Sequence, residues 1–239
     1  MKKSLVLQVL PLLTAGLLVA GCSEDEVTEP TATTFTVTVE NVSQDGTLAT
    51  TRANGAVPLS PGAYAVYQGA NPMFTVGQAS DAGLEAIAED GETAMTVATL
   101  QANSAVKGSG AFMATGGPIL PGVPATFTVS AVPGDRLQIA LMFVQSNDWF
   151  YAFSGEGLDL FNGSTPVSGD VTSSIALYDA GTEEDTAPGT GPDQKPAQDP
   201  NAINVGSADD NTAIRPASDD GFSIPANNSV IRVTITPAS

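Results

Sequence analysis

From Thr33 onward the chain alternates apolar and polar residues with a period of two, the pattern of strands with one buried face. Phe35, Val37 and Val39 interleave with Thr36, Thr38 and Glu40, which predicts a first strand rich in β-branched residues. Ala63 to Tyr67 predicts a second. Phe127, Val129 and Ala131 mark another, which meets Arg136 to Val144 across the tight turn signal Pro133-Gly134-Asp135. Leu137 to Val144 is nearly continuous in apolar residues, as expected of a central strand covered on both faces. Leu158 to Phe161 and Ser173 to Tyr178 flank Asn162-Gly163 and a short polar loop. Val230 to Ile235 alternates again and is expected to close the sheet near the first strand. One stretch breaks the period: Ser80-Asp81 can cap a turn or two through Leu84 and Ile87, Gly91 stops it, and Glu92 to Leu100 can resume. These helical turns read as a surface insertion. About 200 residues of short strands with no internal repeat predict one all-β domain, an antiparallel β-sandwich, over residues 35–239.

The first 34 residues follow another pattern. Lys2-Lys3 precede an apolar run from Leu5 to Leu18, broken by Pro11 and too short for a good spanning helix, so 1–21 reads as a signal peptide. The run closes on Val19-Ala20-Gly21-Cys22, which resembles the bacterial lipoprotein signal, cut before a cysteine that then carries lipid. Cys22 is the chain's one cysteine. The expected partner is therefore the membrane, through lipidated Cys22, with 22–34 as an acidic tether. Ser23 after the cysteine, in place of aspartate, fits outer-membrane sorting in a Gram-negative host.

Composition narrows the functions. All 26 acids lie beyond Cys22, whereas two of the eight bases precede it, so the chain after the signal carries 6 − 26 = −20. Such a surface repels nucleic acid and favours cations, basic partners or plain solubility. No histidine is present, which excludes Ser-His-Asp and Cys-His nucleophile systems and the histidine zinc motifs. Gly189-Thr190-Gly191-Pro192 lacks the lysine and the helix of a phosphate-binding loop.

Two runs carry candidate chemistry. Gln145-Ser146-Asn147-Asp148-Trp149 and Tyr178-Asp179-Ala180-Gly181-Thr182-Glu183 each seat a carboxylate where an apolar run ends and a loop begins. Two carboxylates brought together repel unless a cation lies between them, so Asp148 and Asp179 are candidate ligands of a hard divalent cation. The competing reading has both as loop acids facing water. The stretch from Tyr178 to Pro225 holds ten acids and two bases. It could fold over such a site and add oxygen ligands, with Glu183, Glu184 or Asp185 nearest. Trp149 could anchor a ligand or a membrane, but a lone tryptophan beside Phe150 and Tyr151 reads better as cover for the core edge. A glycosidase acid pair is the third possibility, and aromatic residues make up only 6% of the chain, few to line a sugar cleft.

Ser146-Asn147-Asp148-Trp149 and Asp179-Ala180-Gly181-Thr182-Glu183 resemble the paired motifs of the spondin N-terminal domain family, known from the animal matrix proteins F-spondin and mindin and from bacterial exported proteins. The animal pattern has proline at the place of Asn147 and aspartate at that of Glu183. Ser60-Pro61-Gly62, Gly83-Leu84-Glu85-Ala86, Phe143-Val144-Gln145 and Gly221-Phe222 are similar to the bacterial members, and the resemblance runs from about Phe35 to Ile235. It implies a C2-like sandwich with a calcium-type site (Ca2+ or another divalent cation) at Asp148 and Asp179. It also implies a non-enzymatic adhesion or extracellular binding role toward a protein or polysaccharide. The third carboxylate of the animal members has no counterpart in Thr126-Phe127-Thr128-Val129.

Overall fold

A computed structural model describes residues 31–238. The expected signal peptide, Cys22 and most of the tether lie outside the described residues. Thirteen strands follow in chain order: β1 (Thr33–Asn41), β2 (Leu59–Tyr67), β3 (Val106–Phe112), β4 (Ala125–Ala131), β5 (Arg136–Phe143), β6 (Trp149–Phe153), β7 (Leu158–Asp159), β8 (Phe161–Asn162), β9 (Thr165–Pro166), β10 (Gly169–Asp170), β11 (Ile175–Asp179), β12 (Arg215–Pro216) and β13 (Ile231–Pro237). Two helices, α1 (Ala82–Asp90) and α2 (Ala94–Ala102), lie between β2 and β3.

The strands build an antiparallel sandwich with a short helical insertion. One sheet has the order β10-β13-β1-β4 and the other β12-β11-β6-β5-β2-β3. As the sequence pattern predicts, β13 pairs antiparallel with β1, Val37 opposite Ile235. Side chains of the larger sheet sort by parity. Leu137, Ile139, Leu141 and Phe143 of β5, Trp149, Tyr151 and Phe153 of β6, and Ile175 and Leu177 of β11 enter the core between the sheets. Their alternates Ala140, Phe150, Ala152 and Tyr178 face outward, with Ala63 and Ala65 of β2, into a second apolar layer. Leu84, Ile87, Ala88 and Leu100 of the two helices cover that layer. Alanines on the outer face leave room for a helix to lie close to the sheet. The insertion is thus a third layer, and it explains why β5 and β6 are apolar on both faces.

One other expectation changes. The turn at 133–135 forms, yet it carries the chain from β4 in one sheet to β5 in the other and makes no hairpin. Buried Asp135 fastens it, accepting from the Val132 amide at 2.9 Å, Gln68 Nε2 at 2.8 Å and Lys107 Nζ at 2.5 Å. Both strands present a large apolar face, so they bury more by facing each other across the core than by lying side by side. Strands β3 and β6 carry no alternation that sequence reading detects. The first is an edge strand with two glycines, and the second is apolar at all five positions.

The helix signals act as read. Asp81 Oδ1 accepts from the amides of Gly83 and Leu84 at 3.0 and 2.8 Å. Gly91 stops α1 in the left-handed conformation at φ 72°.

Candidate metal centre

The turn between β5 and β6 holds four successive buried polar side chains, Gln145, Ser146, Asn147 and Asp148. Buried polar groups must find partners, and each of these has a distinct one. Gln145 Nε2 donates to the Ala56 carbonyl. Ser146 Oγ donates to the Phe143 carbonyl at 2.6 Å and accepts from the Trp149 amide at 3.0 Å, which closes the turn. Asn147 Nδ2 donates to Glu183 Oε1 at 2.7 Å, and its Oδ1 accepts from the amide and hydroxyl of Thr186 at 3.0 and 2.7 Å. A proline at 147 could make none of those contacts, so Asn147 ties the acidic loop of this chain to the β5–β6 turn.

Asp148 and Asp179 meet because β6 and β11 are neighbours. Asp179 pairs with Trp149, and the Ala180 amide donates to the Asp148 carbonyl at 3.2 Å. Both residues are 0% exposed, which removes the reading as water-facing loop acids. Asp185, from the loop after β11, joins them. One carboxylate oxygen from each of the three lies within 4.8 Å of the others. Glu183 points elsewhere, to Asn147, and Glu184 is exposed. Of the three loop acids next to Asp179, the structure therefore brings Asp185 into the centre.

The oxygens divide sharply. Asp148 Oδ2 accepts from the Thr182 amide at 2.7 Å, the Thr182 hydroxyl at 3.0 Å and the Glu183 amide at 3.1 Å. Its Oδ1 is buried with no partner among the described residues. Asp179 Oδ1 accepts from the Gly181 amide at 2.5 Å. Asp185 Oδ2 accepts from the indole N–H of Trp149 at 2.9 Å, while its Oδ1 is likewise buried and unpartnered. Trp149 is thus a core residue, as expected, with its one polar atom given to the site.

Arg215 is the residue that sequence reading passed over. It stands on β12, opposite Asp179, with Nη2 2.7 Å from Asp179 Oδ2. That contact lies outside hydrogen-bonding angles, so it is an ion pair only. The same guanidinium lies 2.7 Å from Asp209, 2.7 Å from Asp220 and 4.0 Å from Asp185. Four carboxylates lie within 4.0 Å of one guanidinium, and Asp148 brings the centre to five. One of only two bases in a stretch of ten acids, Arg215 carried that scarcity as its sequence signal.

Such crowding raises proton affinity. Burial pushes Asp148 up against its three hydrogen bonds. Burial also pushes Asp179 up, aided by the charge of Asp148 and by Asp185 within hydrogen-bonding reach. Asp185 rises for the same first reason. Burial opposes the charge of Arg215, but bonds to Asp220 and Asp209 outweigh it and keep the guanidinium ionised. Three carboxylates, two of them with buried and unpartnered oxygens, form an all-oxygen donor set with an excess of negative charge. These residues fit a hard metal ion.

Comparison of the chain with protein-family models and with curated proteins finds no match.

Proposed function

We propose that this chain is a non-enzymatic envelope lipoprotein whose spondin-type sandwich, anchored through Cys22, binds an extracellular protein or polysaccharide. In this reading a calcium ion held by Asp148, Asp179 and Asp185 orders the acidic loop around the binding end. The observation that carries it is the pair of buried, unpartnered oxygens, Asp148 Oδ1 and Asp185 Oδ1, in a centre with five carboxylates and one guanidinium. The family reading rests on the two motifs occurring in order, each after an apolar strand. Against catalysis stands the complete burial of both aspartates, since a glycosidase pair must face a substrate cleft.

Calcium titration by calorimetry, on wild type beside Asp148→Asn and Asp179→Asn, tests the site. Heat in wild type that both substitutions abolish is the expected result. No heat in wild type, or equal heat in the variants, makes the aspartates buried structural acids and removes calcium from the account. Retention of the protein on extracellular polysaccharide or matrix protein, with and without calcium, then tests binding.

A second reading has support of its own. The triad is enclosed by the loop that it fastens, so a cation there has little open coordination for an outside ligand. The chain would then be a passive envelope component whose cation only stabilises loops. Calcium-dependent melting without retention on any ligand is its expected signature.

A further inference from the structure

We propose that Arg215 is a built-in counter-ion of the carboxylate centre, and that it limits cation affinity by competing for Asp179. The inference rests on the reading of the triad as a cation site and concerns how that site is regulated. A cation that uses the two unpartnered oxygens of Asp148 and Asp185 takes Asp179 Oδ2 as its third donor, the oxygen that faces Arg215 Nη2 at 2.7 Å.

The contacts of the guanidinium are unequal. Nε donates to Asp220 Oδ1 at 2.7 Å, Nη2 to Asp209 Oδ2 at 2.7 Å and Nη1 to the Asn211 carbonyl at 2.8 Å. All three partners lie within six residues of Arg215 in the chain, so they travel with it. Asp179 belongs to the sheet; its backbone pairs with that of Arg215 across β11 and β12, but its carboxylate meets the guanidinium by charge alone. Arg215 can therefore yield Asp179 and keep Asp209, Asp220 and Asn211. The Arg215–Asp179 pair adds an electrostatic contact to the backbone pairing that already holds β12 to β11, and occupancy of the triad loosens that contact alone. Arg215 is a positioning residue, 14% exposed, and the cation's access to Asp179 depends on it.

The test uses the full chain in detergent, stripped with chelator. Trp149 is the only tryptophan and touches Asp185, so its fluorescence reports calcium, and its sensitised emission reports terbium. Arg215→Gln removes the charge and keeps hydrogen-bond donors. It is expected to bind calcium about tenfold more tightly than wild type, by loss of a like charge beside the ion. In chelator it should also melt at a lower temperature, with Arg215→Lys between the two. A folded Arg215→Gln variant with unchanged or weaker affinity overturns the proposal. If that variant fails to fold, the double variant Asp179→Asn/Arg215→Gln decides. A counter-ion role requires the double variant to fold and to melt higher than Arg215→Gln, and no rescue overturns it. If neither wild type nor Arg215→Gln binds a cation, the cation reading fails, and the rescue alone then supports or overturns the role of Arg215.

Discussion

Asp148 satisfies one carboxylate oxygen three times over and the other not at all, an asymmetry that no residue pattern along the chain could reveal. The partners of Oδ2 come from Thr182 and Glu183, more than thirty residues away, and only strand pairing brings them close. Glu89 shows the same principle in a group outside the triad. Its Oε2 is buried without a partner, and burial pushes its carboxyl up to about 7 from 4.5, with the charges of Glu85, Asp148 and Asp90 adding. Between those values the folded chain keeps a proton that the unfolded chain has released. Stability therefore falls as pH rises through that window, and the penalty is complete above it. Glu89→Gln is expected to raise the melting temperature at about pH 8, worth at most about 3 kcal/mol, and to change little at about pH 4. Equal melts at the higher pH would mean that the carboxylate is compensated. Trp149→Phe leaves Asp185 Oδ2 without its donor and should cost about 1–3 kcal/mol, read by denaturant unfolding. The sequence marked Asp148, Asp179 and Trp149, because strand ends and aromatic clusters are local. The role of Arg215 could not be read, because it rests on Asp179 and Asp185, thirty or more residues away, as well as on its near neighbours Asp209 and Asp220.

Strand β11 ends in a turn on which the centre depends. Gly181 sits at φ 69°, and a Cβ there would come within 2.7 Å of the Thr212 carbonyl carbon and 2.9 Å of the Asn211 oxygen, both backbone. Gly181→Ala should cost about 1–2 kcal/mol in conformation alone, before those clashes. It should also weaken calcium binding, since Thr182 and Glu183 orient Asp148 from this turn. Calorimetry on the folded variant checks this, and wild-type affinity would detach the turn from the site. The helical layer acts from the other side. Ser80, ahead of α1, donates its hydroxyl to the Ala180 carbonyl at 2.7 Å, and Leu84 and Ile87 are buried against the sheet. Leu84→Ala is expected to destabilise by about 2–4 kcal/mol, in the range of core truncations, whereas a surface decoration would lose under about 1 kcal/mol. A cap at Asp81 and a stop at Gly91 made α1 legible, and α2 followed as its resumption. Their place over the sheet was not legible, because it depends on alanines in three strands that only the pairing aligns.

For the whole molecule, excess negative charge and a buried carboxylate centre make the same demand for a cation. A ligand that binds only the folded state stabilises it by mass action, about 2.7 kcal/mol at a hundredfold excess over its Kd. Calcium should therefore raise the melting temperature, and chelator should reverse the gain. Asp148→Asn should melt at one temperature in both conditions. A wild-type melt indifferent to calcium would show that protons and Arg215 suffice to neutralise the centre. The sandwich itself does not depend on the outcome, because its two apolar layers touch the carboxylates only at one end, through Trp149, Tyr178 and Ala180.

The sequence by itself determined the class of fold, most of the longer elements (though not β3 or β6) and two of the three clustered aspartates, because period-two alternation, helix caps and strand-end acids are properties of neighbouring residues. It also predicted that β13 returns to β1, since both strands carry the same alternation. Tertiary structure decided which sheet each strand joins, that the helices form a layer, and that Asp185 completes the triad while Glu183 binds Asn147. It also set Arg215 among the acids. The physical reason is common to all four: each outcome depends on which buried polar or apolar face meets which, and that is settled only when strands distant in sequence pair and exclude water from between them.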